Sequence, residues 1–438
     1  MAAAGISLES VEITGLFGRS TFVITLDQMQ PTILTGANGT GKSTILRLIN
    51  AISNADVITL ASAPLDEFVL NVRGIEPFIM SRSKDGPGFS VKWGNRGGQI
   101  TVAKRVLDLP AWSTQLLEES RFDIDEALDK MSDSAATNGA PFNEFISARE
   151  ALTALRGSGQ VVTAPDWLGE YGAEFPVLFV SDQRLVTERA GRRRRGAPIR
   201  QKTSSLAVES AASEISDEID KAFSQYGRTS QQLDRSFPEK IIQAMSGHQT
   251  VTADRLGDLV QEVEKKREAL RAVGLLEEAE YGPDLANANY DEENLRTVMN
   301  AVLSSTLQKF AVLNSLERRL GSLKAFLDNR FYPKSLVLSR GEGMRFRSDS
   351  GQEIRPRQLS SGEQQMMVLG YEILFRAKPN TLVIVDEPEL SLHVLWQDSL
   401  IDDLTRMGDI AGLQFLMATH SPTILAEHPE LERALSRE

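Results

Sequence analysis

The sequence contains no cysteine and only four histidines. Without cysteine the chain can form neither a disulfide framework nor a thiolate metal site, and it offers no cysteine nucleophile. The histidines are scattered over 438 residues, which leaves little room for a metal centre built from imidazole groups. Sites that depend on sulfur are therefore excluded, and sites that depend on clustered histidines are disfavoured.

Positive charge and long apolar runs are also scarce. The 48 lysine and arginine residues face 60 aspartate and glutamate residues, so the net charge is −12. A molecule with this charge repels phosphate backbones at long range, which excludes a protein that coats nucleic acids through bulk charge.

Strongly apolar runs such as residues 382–385 are far shorter than the ~20 residues that span a bilayer. The first five residues lack the segments of a signal peptide. We therefore expect a cytoplasmic protein without membrane contact.

The chain is long enough for two or three domains, at roughly 150 residues per domain. Short β-type runs alternate with helices towards both ends of the chain, which predicts an α/β fold with a mostly parallel sheet. The middle has few β-type runs and many helix formers. We predict that residues 1–205 and 331–438 form the N-terminal and C-terminal lobes of one α/β domain. Residues 206–330 are predicted to form a helical insert between them.

The clearest predicted helix covers residues 294–329, about 36 residues or ~54 Å at 1.5 Å per residue. Leucines recur along it at alternating steps of three and four residues, which places them on one seam. These leucines are Leu313, Leu316, Leu320, Leu323 and Leu327. Two interpretations stay open: a long helix packed into the core of a helical lobe, or one arm of a short antiparallel coiled coil.

Residues 36–44 match the phosphate-loop pattern G-x-x-x-x-G-K-[ST] between a predicted strand and a predicted helix. The glycines allow successive backbone N–H groups to surround a phosphate, and the helix contributes its positive N-terminal end. Lys42 supplies a positive charge to the β- and γ-phosphates, and the hydroxyl of Ser43 ligates Mg²⁺. ATP and Mg²⁺ are therefore the predicted cofactors. The predicted nucleotide-binding residues here are Asn38, Gly39, Thr40, Gly41, Lys42, Ser43 and Thr44.

The apolar run at residues 382–385 is followed by two adjacent carboxylates, Asp386 and Glu387. Successive side chains of a strand point to opposite faces, so the two groups can take different roles. Asp386 suits the coordination sphere of Mg²⁺, through water, and Glu387 suits the orientation and deprotonation of an attacking water. Such a pair alone would be an ordinary solvated turn, but the phosphate loop in the same chain favours the catalytic interpretation.

Three further segments resemble motifs of ABC-type ATPases. Residues 359–365, Leu-Ser-Ser-Gly-Glu-Gln-Gln, resemble the signature motif L-S-x-G-[EQ]-x-[QR], and residues 418–421, Ala-Thr-His-Ser, resemble the segment that carries the switch histidine. Residues 386–393, Asp-Glu-Pro-Glu-Leu-Ser-Leu-His, are similar to a motif of the branch with RecF-like, SMC-like and OLD-family ATPases. The resemblance implies an ABC-type ATPase head: a mostly parallel core sheet with helices, an antiparallel β layer, and a helical or coiled-coil insert.

The resemblance also implies a mechanism in which two heads enclose two ATP molecules. Ser361 and Gly362 of one subunit would complete the γ-phosphate site of the other, so that ATP joins the subunits and hydrolysis releases them. His420 would contact the γ-phosphate and, with Glu387 and Lys42, make up the implied catalytic set. The signature segment is equally a serine-capped helix start with a capping box, and the two interpretations are compatible.

Two positions test the resemblance further. Gln183 follows the predicted strand at residues 177–180, where this family has a glutamine that contacts Mg²⁺. The alternative is a surface loop in which Asp182 caps a following helix. His393 stands where transporter-type ABC ATPases have an aspartate, and this departure favours the soluble branch of the family over a transporter ATPase.

Residues 184–202 contain eight basic residues and one acidic residue. Glycine and proline beside this run predict a flexible surface loop, which would bind DNA or an acidic protein. The alternative is a solvated loop, or one that pairs with an acidic segment of the same chain such as residues 277–293. Four of the basic residues are consecutive: Arg192, Arg193, Arg194 and Arg195.

The motifs look most like those of bacterial anti-phage ATPases, such as the PARIS, Septu and retron-linked systems. This resemblance implies an ATP-gated ATPase that forms an ATP-sandwiched dimer or a higher homo-oligomer, as the sensor or scaffold subunit of a defence system. OLD nucleases carry a nuclease domain after the ATPase, whereas 18 residues follow His420 here, so we expect a separate effector nuclease or toxin. Two alternatives stay open: a RecF- or SMC-like ATPase of DNA repair, and a scaffold that binds ATP without hydrolysing it.

Overall fold

The structure is a computed structural model. It describes residues 6–83, 88–103, 124–134, 162–180, 205–246, 251–276, 292–339, 341, 343–391, 394–397, 399–426 and 428–435, with isolated residues between 106 and 153. The strands are β1 (Ser7–Leu16), β2 (Ser20–Thr25), β3 (Thr32–Thr35), β4 (Glu67–Arg73), β5 (Phe78–Arg82), β6 (Phe89–Trp93), β7 (Arg96–Val102), β8 (Val162–Thr163), β9 (Val177–Val180), β10 (Ser335–Ser339), β11 (Gly343–Arg347), β12 (Glu353–Ile354), β13 (Leu382–Asp386), β14 (Gln414–Ala418) and β15 (Glu432–Ala434). The helices are α1 (Lys42–Ser53), α2 (Val57–Ala61), α3 (Ile124–Ser134), α4 (Trp167–Glu174), α5 (Ser205–Ser246), α6 (Ala253–Ala272), α7 (Glu293–Ala311), α8 (Asn314–Phe331), α9 (Ser361–Tyr371), α10 (Val394–Gln397), α11 (Leu400–Ala411) and α12 (Pro422–Ala426).

The chain divides into two compact units. The first, here called the core unit, comprises Met1–Asp182 and Ala377–Glu438. The second, here called the helical unit, comprises Lys202–Arg376. The three strands β10, β11 and β12 and the helix α9 therefore group with the long helices α5 to α8.

A five-stranded parallel sheet in the order β15-β3-β14-β13-β9 lies in the core unit. Every residue of β3, β13 and β14 is buried, which explains why these strands are continuous apolar runs rather than alternating ones. Helix α1 packs against this sheet. Because the strands are parallel, the segments that follow β3, β13 and β14 leave the sheet at one edge, where α/β sheets bind their ligands. The predicted parallel core sheet is confirmed.

The core unit also contains a seven-stranded antiparallel sheet in the order β2-β1-β4-β5-β6-β7-β8. Its strands alternate in burial; in β4, for example, Phe68, Leu70 and Val72 are buried. Gln414 of β14 links the two sheets, because its side-chain amide donates to the carbonyl of Leu8 and its side-chain oxygen accepts from the N–H of the same residue, each at 2.8 Å. The antiparallel layer that the ABC-type resemblance implies is therefore present.

Strands β6 and β7 form a tight hairpin. Trp93 pairs with Arg96, and the ladder continues through the next two glycines. The turn is only two residues long, and Gly94 has a φ of 56°, as two-residue hairpin turns require. A Cβ on Gly98 would lie 2.7 Å from the ring of Pro165, so this glycine serves close packing inside a strand.

The predicted single helix over residues 294–329 is wrong. The chain forms two helices, α7 with 19 residues and α8 with 18 residues. They are separated by a turn in which the N–H of Leu313 donates to the carbonyl of Phe310 over 2.9 Å. The turn lets both of these side chains be buried, and all five seam leucines are buried as well. Helix α8 packs against α6, α9 and β10 inside the helical unit, which agrees with the core-packing interpretation of the seam.

A three-stranded antiparallel sheet, β10-β11-β12, precedes α9 in the helical unit. Helix α9 begins at Ser361 and is followed by a π-helical turn, Glu372–Arg376. Within the described parts of the chain, no helix has both the length and the apolar character to cross a bilayer.

Candidate nucleotide-binding site

The phosphate loop joins β3 to α1 with a backbone that only glycine can adopt at two positions. Gly36 and Gly41 have φ values of 148° and 106°. A Cβ on Gly36 would lie 2.9 Å from the carbonyl oxygen of Leu435, and a Cβ on Gly41 would lie 2.5 Å from Cδ2 of Leu16. Conformation and space therefore both demand glycine at these positions.

The remaining residues of the loop are arranged around an exposed tip. Asn38 and Gly39 are exposed, whereas Thr40 is buried and its hydroxyl donates to the carbonyl of Ala37 over 2.9 Å. Thr44 is half-buried in the first turn of α1. The tip thus presents its backbone to solvent while the side chain of Thr40 holds the turn closed.

Lys42 lies at the start of α1 and is only 5% exposed. Its Nζ donates to the carbonyl of Gly36 over 2.8 Å and to that of Ala37 over 3.4 Å. Burial lowers the pKa of Lys42 below its ordinary value, although the nearby carboxylates, Glu387 first among them, act in the opposite direction. The ammonium group is thus held inside the loop by carbonyl oxygens that a phosphate group can replace.

Ser43 and Asp386 meet at the end of the core sheet. The hydroxyl of Ser43 donates to Oδ1 of Asp386 over 3.1 Å. A hydroxyl and a carboxylate at one point suit Mg²⁺, which takes one or two protein oxygens and fills its other positions with water and phosphate oxygens. Among the described residues no cluster of three or more histidine or acidic side chains could hold a metal ion by itself. These two residues therefore fit a Mg²⁺ ion that is bound together with a nucleotide.

Glu387 directly follows β13 and has a φ of 47°, a conformation that is uncommon outside glycine and is typical of functional sites. Its N–H donates to the carbonyl of Ala418, at the end of β14, over 2.9 Å. This bond ties the ends of the two strands together. Nε2 of His420 then lies 3.8 Å from Oε1 of Glu387. The structure brings together two residues that the sequence placed in one catalytic set.

Glu389 belongs to this site, although the sequence analysis assigned it no role. Its Oε1 accepts a hydrogen bond from the backbone N–H of His420 over 2.6 Å. Its carboxylate is also one of the groups that favour the charged form of Lys42 and so act against the lowering of that lysine's pKa. The only sequence signal for it is its place three residues after Asp386 in the quoted motif.

Phe17 is a second residue that the sequence analysis missed. It lies in the turn between β1 and β2, has a φ of 53° and is 51% exposed. Its Cε2 lies 3.2 Å from the position that a Cβ on Gly41 would occupy, so the ring stands beside the phosphate loop. An exposed aromatic ring next to a phosphate-binding loop is suited to stack on a nucleobase.

The signature segment lies in the helical unit, at the start of α9. Ser360 caps the helix: its hydroxyl oxygen accepts from the N–H of Glu363 over 3.4 Å, and Oε2 of Glu363 accepts from the N–H of Ser360 over 2.8 Å. Nζ of Lys334 donates to both carboxylate oxygens of Glu363 over 2.7 and 2.9 Å. Burial alone would raise the pKa of Glu363, but these hydrogen bonds outweigh it and hold the pKa below its usual range. Ser361 is exposed and Gly362 half-buried, so the helix start is accessible.

Some predicted site residues lie outside the described part of the chain. They are Gln183, His393, the arginines at positions 192–195 and most of the acidic segment at residues 277–293. Their assignments stay predictions.

One family model matches the chain. It is described as "AAA domain, putative AbiEii toxin, Type IV TA system", and it matches residues 205–426, slightly more than half of the chain. The chain belongs to this family. It is a family of P-loop ATPases, and the match includes the signature segment, the two carboxylates after β13 and His420, whereas the phosphate loop precedes it. With its parallel core sheet, antiparallel sheet and helical unit, this family member has the predicted fold of an ABC-type ATPase head.

Several solved structures of SMC heads are similar to this family member. The Pyrococcus furiosus Smc head with an extended coiled coil, bound to the C-terminal domain of ScpA, is 15% identical with a TM-score of 0.40, over 96% of this chain and 91% of that one. The SMC head from Thermotoga maritima is 11% identical with a TM-score of 0.36, over the same shares. The Smc head with a coiled coil and joint from Pyrococcus yayanosii is 15% identical with a TM-score of 0.34, over 96% and 93%. No curated protein matches the chain.

Proposed function

We propose that the protein is a Mg²⁺-dependent ATPase. The observation that carries this proposal is the convergence of Lys42, Ser43, Asp386, Glu387 and His420 at one edge of the core sheet. Membership of a P-loop ATPase family supports it independently.

Binding of ATP starts at the phosphate loop. The N–H groups of the loop and the positive end of α1 hold the phosphates. Lys42 exchanges its carbonyl partners for the β- and γ-phosphates, because a charge-assisted bond to phosphate is stronger than one to a neutral carbonyl. Ser43 and Asp386 would hold Mg²⁺, and the metal ion would neutralise charge on the phosphates.

Hydrolysis then depends on Glu387 and His420. Glu387 orients the attacking water and takes up its proton. The imidazole of His420, close to Oε1 of Glu387, contacts the γ-phosphate and so senses whether it is present. Glu387 has a left-handed backbone directly after β13, and its carboxylate lies beside the imidazole of His420.

We further propose that two copies of the protein enclose ATP between them. Ser361 and Gly362 are accessible at the start of α9, and a helix start attracts anions through its free N–H groups and its dipole. In such a dimer these residues of one copy would bind the γ-phosphate held by the other. ATP would join the copies, and hydrolysis would release them.

The biological role that we propose is that of a cytoplasmic sensor or scaffold in a bacterial anti-phage system, together with a separate effector nuclease or toxin. The motif resemblance supports this role, and so does the link of the family description to a toxin of a toxin–antitoxin system. DNA or an acidic phage protein would act as the trigger at the arginine run, residues 192–195. Gln183 is proposed as a further Mg²⁺ contact.

The ATPase proposal is tested by calorimetric titration with ATP and by phosphate release. The wild-type protein should bind ATP with Mg²⁺ and release phosphate, whereas Lys42→Met should bind at least tenfold more weakly. Equal affinity of the two proteins would contradict the assigned role of the lysine. Binding without any release of phosphate would favour the scaffold alternative.

The dimer and the trigger need separate tests. In size-exclusion chromatography Glu387→Gln, which should bind ATP without hydrolysing it, should elute as a larger species with ATP than without it. An unchanged elution volume would count against the ATP-sandwiched dimer.

Replacing the four arginines at positions 192–195 by glutamate should abolish salt-sensitive binding of DNA or of acidic protein. Strong stimulation of hydrolysis by DNA alone would favour the DNA-repair alternative.

A further inference from the structure

Glu389 bridges the two segments that carry the predicted catalytic groups. It lies in the 3₁₀ turn Pro388–Ser391, which follows β13 and Glu387. Its carboxylate bonds to His420, two residues after the end of β14. Its partner there is the backbone N–H of His420, at 2.6 Å. One side chain thus connects the turn that begins at Glu387 to the backbone of His420.

The second oxygen of this carboxylate, Oε2 of Glu389, is buried and has no hydrogen-bond partner in the described part of the chain. An unsatisfied buried oxygen, above all on a charged group, destabilises a protein relative to a neutral or apolar replacement. Packing alone would not favour a glutamate here. Buried polar groups that keep such a cost are characteristic of functional sites.

The residues on either side of His420 are anchored by other contacts. The N–H of Thr419 is fixed by the carbonyl of Leu34, and Ser421 is fixed through its hydroxyl, which donates to Gln397. Both flanking residues are buried, whereas His420 itself is exposed. His420 thus lies between two anchored neighbours, and Glu389 adds a hydrogen bond to its own backbone N–H.

We propose that Glu389 is a positioning residue for hydrolysis, which acts by fixing the backbone of His420 so that its imidazole faces Glu387 and the γ-phosphate. This inference rests on the proposed ATPase function and deepens it. Glu389 does not touch the reacting atoms. Its effect on the rate passes through the backbone of His420, while its charge also acts on Lys42.

The test compares ATP turnover in Glu389→Ala, Glu389→Gln, His420→Ala and the double variant Glu389→Ala/His420→Ala. Glu389→Ala should lower kcat about 10- to 100-fold, the scale expected when a catalytic group is misplaced by about 1 Å. The KM for ATP should change less than about threefold. Glu389→Gln should keep most of the rate, because its amide oxygen still accepts the N–H bond. Asp409→Ala, an exposed carboxylate on α11, is the matched control and should behave as the wild type.

The double variant decides between positioning and general structural damage. If Glu389 acts through His420, adding Glu389→Ala to His420→Ala should cost less than about twofold in kcat. Amide hydrogen exchange at residues 419–421 should speed up in Glu389→Ala and not in Asp409→Ala. Multiplicative losses in the double variant, or equal losses in the alanine and glutamine variants, would overturn the positioning role while the ATPase assignment stands. A wild-type protein without turnover would overturn both.

Discussion

The start of α9 depends on the carboxylate of Glu363, and its removal should loosen the segment that is proposed to bind the γ-phosphate in a partner subunit. Glu363→Ala removes the acceptor for Lys334 and for the N–H of Ser360. Helix caps contribute about 0.5–2 kcal/mol, and hydrogen bonds to charged groups contribute about 1.5–3 kcal/mol. Both donors can reach water after the truncation, so we expect a loss of about 2 kcal/mol in the free energy of unfolding of the helical unit. Glu363→Gln keeps the bond to Ser360 and should lose about half as much.

The measurement is urea unfolding combined with amide hydrogen exchange at residues 360–364. The matched control is Glu353→Ala, which removes a carboxylate of the same unit whose ion pair with Arg345 is half exposed. Exposed pairs of this kind contribute about 0–1 kcal/mol, so this variant should stay close to the wild type. Equal losses in the two variants would refute the claim that the hydrogen-bond network, rather than charge in general, secures the helix start.

The pH dependence provides a second check on Glu363. Its pKa is lower in the folded protein than in the unfolded chain, so its contribution is fully present above the unfolded pKa and is lost as the pH falls through the folded pKa. The difference in stability between the wild type and Glu363→Ala should therefore be largest near neutral pH and should shrink in acid. A difference that does not change with pH would contradict the account.

Three further predictions concern the phosphate loop and the seam. Phe17→Ala should weaken ATP binding by about 1–3 kcal/mol, the value of one aromatic–base stack, while the affinity for inorganic triphosphate stays unchanged in the same calorimetric assay. Gly41→Ala, whose Cβ would lie 2.5 Å from Cδ2 of Leu16, should abolish binding of ATP and of triphosphate alike, with near-normal circular dichroism. Leu320→Ala should destabilise the helical unit by about 2–5 kcal/mol in urea unfolding, since the leucine is fully buried, without weakening ATP binding.

Much of the core unit could be predicted from the sequence because its signals are local. The phosphate loop is a fixed pattern of glycines followed by Lys42 and Ser43, and the strands around it are short apolar runs bounded by polar residues. A parallel sheet places the ends of such runs at one edge. The meeting of Ser43 with Asp386 therefore follows from two local patterns and one rule of topology.

The features that were missed depend on contacts between distant segments. Phe17 stands beside Gly41, and Glu389 bonds to His420, but no short-range pattern links the members of either pair. The break between α7 and α8 was missed for a different reason. Neither glycine nor proline stands at residues 311–314, where the first helix ends and the second begins, so no local signal marks the break.

The most direct test of the central claim is the rate of phosphate release by the wild-type protein beside Glu387→Gln, at saturating ATP and Mg²⁺. Removing a general base costs about 10²- to 10⁴-fold in rate. The account predicts measurable turnover by the wild type, a loss of at least a hundredfold in the variant, and the same affinity for ATP in both. Equal rates in the two proteins would contradict the assignment of Glu387 as the base. If both rates are near zero, the assignment of the protein as an ATPase would also be contradicted.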